Sequence, residues 1–164
     1  MLNIVLITGI SGSGKSVALR MLEDTGYTCI DNLPVRFLHE FIASTQDSGL
    51  ERVAVAIDVR TPGDLDDLPG ILTSLRAMGT ALHVIFLEAD DHTLMQRYSE
   101  SRRRHPLAAA DQTLVEAIRA ERIMLEPISG LGHRIDTSGM KANGLREWVR
   151  QFIEAEPGQG LTLM

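Results

Sequence analysis

The chain has 164 residues, 44% hydrophobic and 23% charged, with 22 acidic against 16 basic side chains and a net charge of −6. That length suits one domain with a core of its own, and the composition excludes a disordered or low-complexity chain. A mean hydropathy of +0.01 with charges in every long window excludes a membrane span. The acidic balance excludes the broad basic footprint of a nucleic-acid binder. A single cysteine, Cys29, rules out an internal disulfide framework, and Met1 to Ile7 lacks the features of a signal peptide. Both fit a cytoplasmic protein without membrane contact.

Apolar runs and amphipathic stretches then alternate along the chain. Asn3 to Thr8 is a β-branched run ending in glycines and reads as a buried strand; Ser16 to Asp24 has helical spacing, with Gly26 as its stop. Tyr27 to Asp31 is a second short strand, closed by Asn32-Leu33-Pro34, with Pro34 suited to the first turn of a helix through Leu38, Phe41, Ile42 and Thr45. Arg52 to Val59 is apolar almost without alternation, the pattern of a parallel strand covered on both faces. Thr61-Pro62 opens a helix that Gly79 closes, and Ala81 to Leu87 is a fourth strand. Asp90 and Asp91 cap a helix reaching into Glu100 or beyond. Another helix runs from Asp111 to Glu126 and stops at Pro127. His133 to Asp136 is a fifth strand, and a final helix spans about Ala142 to Glu154. Strand and helix in alternation predict an α/β fold: a doubly wound, mostly parallel five-stranded sheet in three αβα layers. Ligands of such sheets bind outside the carboxyl ends of the strands.

Gly9-Ile10-Ser11-Gly12-Ser13-Gly14-Lys15-Ser16 is the G-x-x-x-x-G-K-S pattern, after a strand and opening a helix. Glycines let the backbone turn so that successive N–H groups converge on an anion at the positive end of the helix dipole. Lys15 can then reach β- and γ-phosphates, and the Ser16 hydroxyl can ligate Mg²⁺. These residues predict a nucleoside triphosphate, ATP or GTP, bound with Mg²⁺. Asp58, ending the third apolar run, has the form of a second Mg²⁺ ligand, and Asp31, ending the second strand, is another candidate; either can also be a strand-end turn residue. Val59-Arg60 follows Asp58 with no adjacent Glu to activate water, so unaided hydrolysis is expected to be slow. No Asn-Lys-x-Asp motif reads guanine, leaving ATP and GTP unseparated.

Arg102-Arg103-Arg104-His105 stands where phosphoryl-transfer enzymes carry an arginine lid, with Arg103 the candidate catalytic cation. A solvated helix end is the alternative. Asp136-Thr137-Ser138 can contact a base or ribose, or form the polar turn into the last helix. His39, His83, His92 and His133 lack metal-ligand spacing, and Cys29 reads as an inert core thiol. Fourteen of the sixteen basic residues are Arg; of the two lysines, one is Lys15. The organisation expected is a nucleotide-binding domain over 1–155, a linker over 156–160, and at 161–164 the first residues of a truncated C-terminal domain, with a tail strand added to the same sheet as the alternative.

Several segments together resemble a known family. They are Gly9 to Ser16, Gly26-Tyr27-Thr28-Cys29-Ile30-Asp31-Asn32-Leu33-Pro34, Ile57-Asp58-Val59-Arg60, Arg97-Tyr98-Ser99-Glu100, Arg102 to Leu107 and Ile135-Asp136-Thr137-Ser138. In that order they are similar to the P-loop nucleotide-binding proteins of the RapZ/YvcJ family, over essentially the whole chain. The resemblance implies a P-loop kinase-like N-terminal domain that binds and slowly hydrolyses ATP and GTP. It assigns the Gly9–Ser16 segment to ATP and the segment Asp58-Val59-Arg60-Thr61 to GTP. It also implies a regulatory role, in some members as an adapter presenting RNA to a ribonuclease through a C-terminal domain, with oligomeric assembly of the full-length protein. The residues leave a second reading open: a small-molecule kinase in which Asp31 orients an acceptor hydroxyl. A third, an RNA-binding module proper, is disfavoured for these residues by the net −6.

Overall fold

In the computed structural model, residues 2–10, 13–58, 62–101, 113–128, 130 and 132–155 are described. The strands are β1 (Asn3–Gly9), β2 (Thr28–Pro34), β3 (Arg52–Asp58), β4 (Ala81–Glu88) and β5 (His133–Asp136). Between and after them lie α1 (Lys15–Asp24), α2 (Leu38–Asp47), α3 (Pro62–Ala77), α4 (Asp91–Ser101), α5 (Leu114–Leu125) and α6 (Ala142–Ala155). All pairings are parallel, in the order β2-β3-β1-β4-β5.

The continuous apolar strands are explained by what covers them. On one face Ile4, Leu6, Val53, Val55, Val84 and Phe86 pack against Leu38 and Ile42 of α2, Leu68, Leu72 and Leu75 of α3, Leu94 of α4 and Ile118 of α5. On the other, Val5, Ile7, Ala54, Ala56, Ile85 and Leu87 meet Ala18, Leu19 and Leu22 of α1 and Leu145, Val149 and Ile153 of α6. Successive strand residues thus serve opposite layers, and a polar residue at either parity would be buried. The result is the three-layer αβα sandwich expected.

β1 leads through α1 towards the β2 edge, whereas β4 leads through α4 and α5 to the opposite edge at β5. Chain connections therefore diverge on either side of β1 and β4, which opens a crevice beyond their carboxyl ends.

Three local expectations change. The second strand does not end at Asp31: it continues to Pro34, with a register shift between Ile30 and Leu33. Asp31 and Asn32 form that bulge on the sheet edge, where an irregularity costs little pairing and blunts the edge. Asn32 takes φ 57°, a left-handed conformation that Asn tolerates better than most residues. Pro34, extended at ψ 141°, precedes a single 3₁₀ turn, Val35–Phe37, rather than sitting inside a helix. The helix expected from Asp111 is regular from Leu114, capped by Thr113: its hydroxyl accepts from the Glu116 amide at 3.2 Å, while Glu116 accepts from the Thr113 amide at 3.3 Å. As expected, α5 ends ahead of Pro127, at Leu125, and a 3₁₀ turn over Glu126–Ile128 follows. Among the described residues no helix is long and apolar enough to cross a membrane.

Candidate functional site

The loop between β1 and α1 stands in the central crevice. Its entry is built by a close approach of backbones. The Ile10 amide donates to the Leu87 carbonyl of β4 at 3.1 Å. Gly9 adopts φ +140°, and a Cβ there would lie 2.1 Å from that same carbonyl oxygen. Only glycine lets β1 and β4 come this near as the chain turns.

At the loop's exit Ser13 is fully buried, its amide and its hydroxyl both donating to the Ile10 carbonyl, at 3.0 and 2.5 Å. Gly14 is the N-cap of α1 with φ 109°, seated so that a Cβ would come 2.7 Å from Leu145 of α6. This cap supplies no side-chain hydrogen bond, and the first turn of α1 carries no acidic residue. The helix therefore presents amide donors and the positive end of its dipole uncompensated by any cap or first-turn carboxylate. Lys15 opens the helix and folds back across the loop, its Nζ donating to the Gly9 carbonyl at 3.1 Å. Ser16, one residue further, is exposed.

Asp58 is the last residue of β3, and the β1–β3 register (Ile7 opposite Ala56) carried two residues on sets it level with Gly9. Its other neighbour across the sheet is Pro34. Asp31 is exposed on the bulge of β2, two strand spacings from β1, or about 10 Å. The fold thus brings Gly9, Ile10, Ser13, Gly14, Lys15, Ser16 and the Asp58 backbone to one place and holds Asp31 at its margin. Ser11, Gly12, Val59, Arg60, Thr61 and the run Arg102 to His105, with Arg103, lie outside the described residues, as do 156–164.

The far wall comes from the ends of β4 and β5. The Asp136 carboxylate accepts from the Ser138 amide at 2.8 Å, and these Ser138 contacts hold its pKa below the ordinary carboxylate value. Asp90 caps α4 by accepting from the Thr93 amide at 2.7 Å, and hydrogen bonds from the Thr93 side chain and amide lower its pKa likewise, while its own amide donates to the Ser138 hydroxyl. The segment Asp136-Thr137-Ser138 forms a hydrogen-bonded turn at this wall. Thr137 points inward and Arg97 of α4 grips it, two residues that motif reading gave no role of this kind. Cys29, partly buried, donates to the Leu19 carbonyl, and burial pushes its thiol up to about 11. Among the described residues no cluster of three His, Cys, Asp or Glu could hold a metal ion.

The model of the RapZ-like N-terminal domain family matches residues 2–157. This chain belongs to that family. Among curated relatives of the RapZ-like domain, a nucleotide-binding protein of Dechloromonas aromatica is 63% identical over 163 residues, 99% of this chain and 58% of its own length. One from Bordetella petrii is 62% identical over 162 residues, 95% of this chain and 56% of its own. The chain thus spans a little over half the length of these relatives. Two solved structures share the RapZ-like domain's fold. A sugar kinase from Janibacter sp. HTCC2649 has a TM-score of 0.66 at 15% identity, with 96% of this chain and 97% of its own covered. Shikimate kinase from Acinetobacter baumannii gives 0.64 at 14%, covering 99% and 97%. Both are P-loop kinase folds, and at these identities the likeness concerns architecture alone.

Proposed function

We propose that this domain binds ATP or GTP with Mg²⁺ at the loop of residues 9–16 and hydrolyses it slowly, as the nucleotide-responsive half of a longer regulatory protein. The observation that carries the reading is the uncapped, acid-free N-terminus of α1 beneath a folded-back Lys15. An arriving polyphosphate offers Lys15 oxygens that are charged, unlike the Gly9 carbonyl, and the exchange favours binding. The relatives named nucleotide-binding proteins support the same assignment.

The donor set suits a hard cation: Ser16 is exposed on the first turn of α1 and Asp58 ends the adjacent strand, so these two would hold Mg²⁺, with Asp31 a more distant third. Bound there, the ion would neutralise charge on the β- and γ-phosphates. Lys15 would grip the same oxygens, and Arg103 would add charge from the run after α4. Val59, Arg60 and Thr61 would join Asp58 in the segment contacting GTP. The sequence after Asp58 supplies no carboxylate to activate water, hence slow turnover. In the cytoplasm the output would pass to RNA and a ribonuclease through the part present in longer relatives, within an oligomer.

Calorimetric titration of MgATP and MgGTP tests the reading. Lys15→Ala should weaken binding roughly 10–100-fold, the worth of a charge-assisted hydrogen bond or two; undiminished affinity in a folded variant would show the loop misread. A second reading, a small-molecule kinase, has one observation in its favour: an exposed Asp31 beside the crevice of a fold shared with sugar and shikimate kinases. ADP release stimulated by sugars, nucleosides or short acids would decide for it.

A further inference from the structure

Thr137 is buried in a turn whose neighbours reach solvent, and its hydroxyl lies 2.7 Å from the carbonyl oxygen of Ser13 inside the phosphate loop. The Thr137 amide donates to the Glu88 carbonyl at 2.7 Å. Arg97 of α4 closes on the same residue, Nη1 donating to the hydroxyl at 3.1 Å and Nη2 to the carbonyl at 2.8 Å.

The direction of these bonds follows from their chemistry. A guanidinium has donors only, so the Thr137 hydroxyl must accept from Arg97 and keeps its one proton for a carbonyl. Two carbonyls are in reach, Ser13 at 2.7 Å and Glu88 at 3.2 Å, and the shorter claim falls to Ser13. Arg97 thus orients the hydroxyl as a donor toward the loop.

What this does to the loop follows from the peptide plane. Across a trans peptide the carbonyl of one residue and the N–H of the next point in opposite directions. Holding the Ser13 carbonyl against Thr137 turns the Gly14 N–H the other way, at the residue whose φ of 109° makes the N-cap of α1. The loop's entry is fixed by Ile10 on Leu87, and its exit by Ser13 on Thr137.

We infer that Thr137 and Arg97 are positioning residues for the phosphate loop, setting the Ser13–Gly14 peptide so that its amide is available to the polyphosphate of a nucleotide. The effect on ligand affinity rests on the proposed nucleotide site, whereas the tether itself does not. The device joins the end of β5 and helix α4 to the loop, so the three elements share one geometry.

The test uses Thr137→Val, nearly isosteric and without the hydroxyl, with Thr137→Ser as the conservative variant. Binding of MgATP and of inorganic tripolyphosphate should weaken about tenfold in Thr137→Val, as befits one buried hydrogen bond, and return to within about twofold of the parent in Thr137→Ser. In the nucleotide-free chain, amide exchange at Ser13 to Lys15 should quicken in Thr137→Val while Ile4 to Leu6 of β1 stay protected. A merely structural defect would loosen both. Arg97→Lys should follow Thr137→Val in direction; Arg97 makes further contacts, so Thr137→Val carries the decision. Parent-like affinity and exchange in Thr137→Val would overturn the inference. If the parent chain binds neither ligand, the nucleotide reading fails by itself, and the exchange measurement still decides whether Thr137 holds the loop.

Discussion

Replacing Gly9 by Ala probes the geometry on which the site depends. The added methyl would sit 2.1 Å from the Leu87 oxygen, 2.7 Å from its nitrogen and 2.9 Å from its carbon. A carbon and a carbonyl oxygen normally meet no closer than about 3.3 Å, so β1 and β4 must part by more than 1 Å at the centre of the sheet. These are backbone atoms and cannot swing aside as a side chain would. Overpacking of this kind costs about 1–3 kcal/mol, and a side chain held at φ +140° adds about 1–3 kcal/mol of strain. A loss near 4 kcal/mol is therefore expected. Gly79→Ala is the control: its φ is +84°, but nothing lies within 4 Å of the added carbon, leaving a conformational cost of about 1–2 kcal/mol. Urea unfolding of both variants isolates the clash, expected as a difference of at least about 2 kcal/mol, or roughly 4–8 °C in Tm for a domain of this size. Parting the strands also stretches the bond from the Ile10 amide to Leu87, so any nucleotide affinity should fall along with stability. Equal losses in the two variants would refute the claim that close approach, rather than backbone conformation, requires glycine at position 9.

Two further outcomes concern titration. The Cys29 thiol, raised to about 11 chiefly by desolvation, should resist iodoacetamide at pH 8 and react readily only after unfolding; because the folded pKa is the higher, its contribution to stability is intact below the unfolded thiol's pKa of about 8.5 and fades as pH rises towards 11. Asp136 and Asp90 have lowered pKa values from their bonds to Ser138 and Thr93, so their contribution is present above the ordinary Asp value and lost as pH falls through the folded ones. In Asp136→Asn the acid limb of the stability profile should flatten, as followed by circular dichroism.

The architecture was legible because burial on both faces leaves an unmistakable pattern: Val53 to Ile57 and Ala81 to Leu87 have no polar face to confuse with a helix. The loop was legible because glycine and lysine spacing encodes a backbone shape directly. The edge strand was not, since a bulge at Asp31-Asn32 uses the residue types that also end strands, and register with β3 decides between the two. The start of α5 is written in the sequence, as Thr113 three residues before Glu116, although Asp111 offers a competing cap type nearby.

Thr137 shows a different limit. In sequence it belongs to a polar triplet between a strand and a helix, where base contact and simple turn are equally good accounts. What decides is that β5 lies beside β4 and β4 beside β1, which carries the end of β5 to the loop after β1 across 124 positions of chain. No periodicity records that distance. Topology does: once the order β1-β4-β5 is known, a buried hydroxyl at the end of β5 comes within reach of the Ser13 carbonyl of the loop, and burial without a partner would cost more than the bond returns. The arginine follows by the same reasoning, because a threonine with two carbonyls in reach and one proton needs a donor-only neighbour to orient it. The phosphate loop is thus held from outside its own motif, by residues whose types are ordinary and whose placement alone gives them the role.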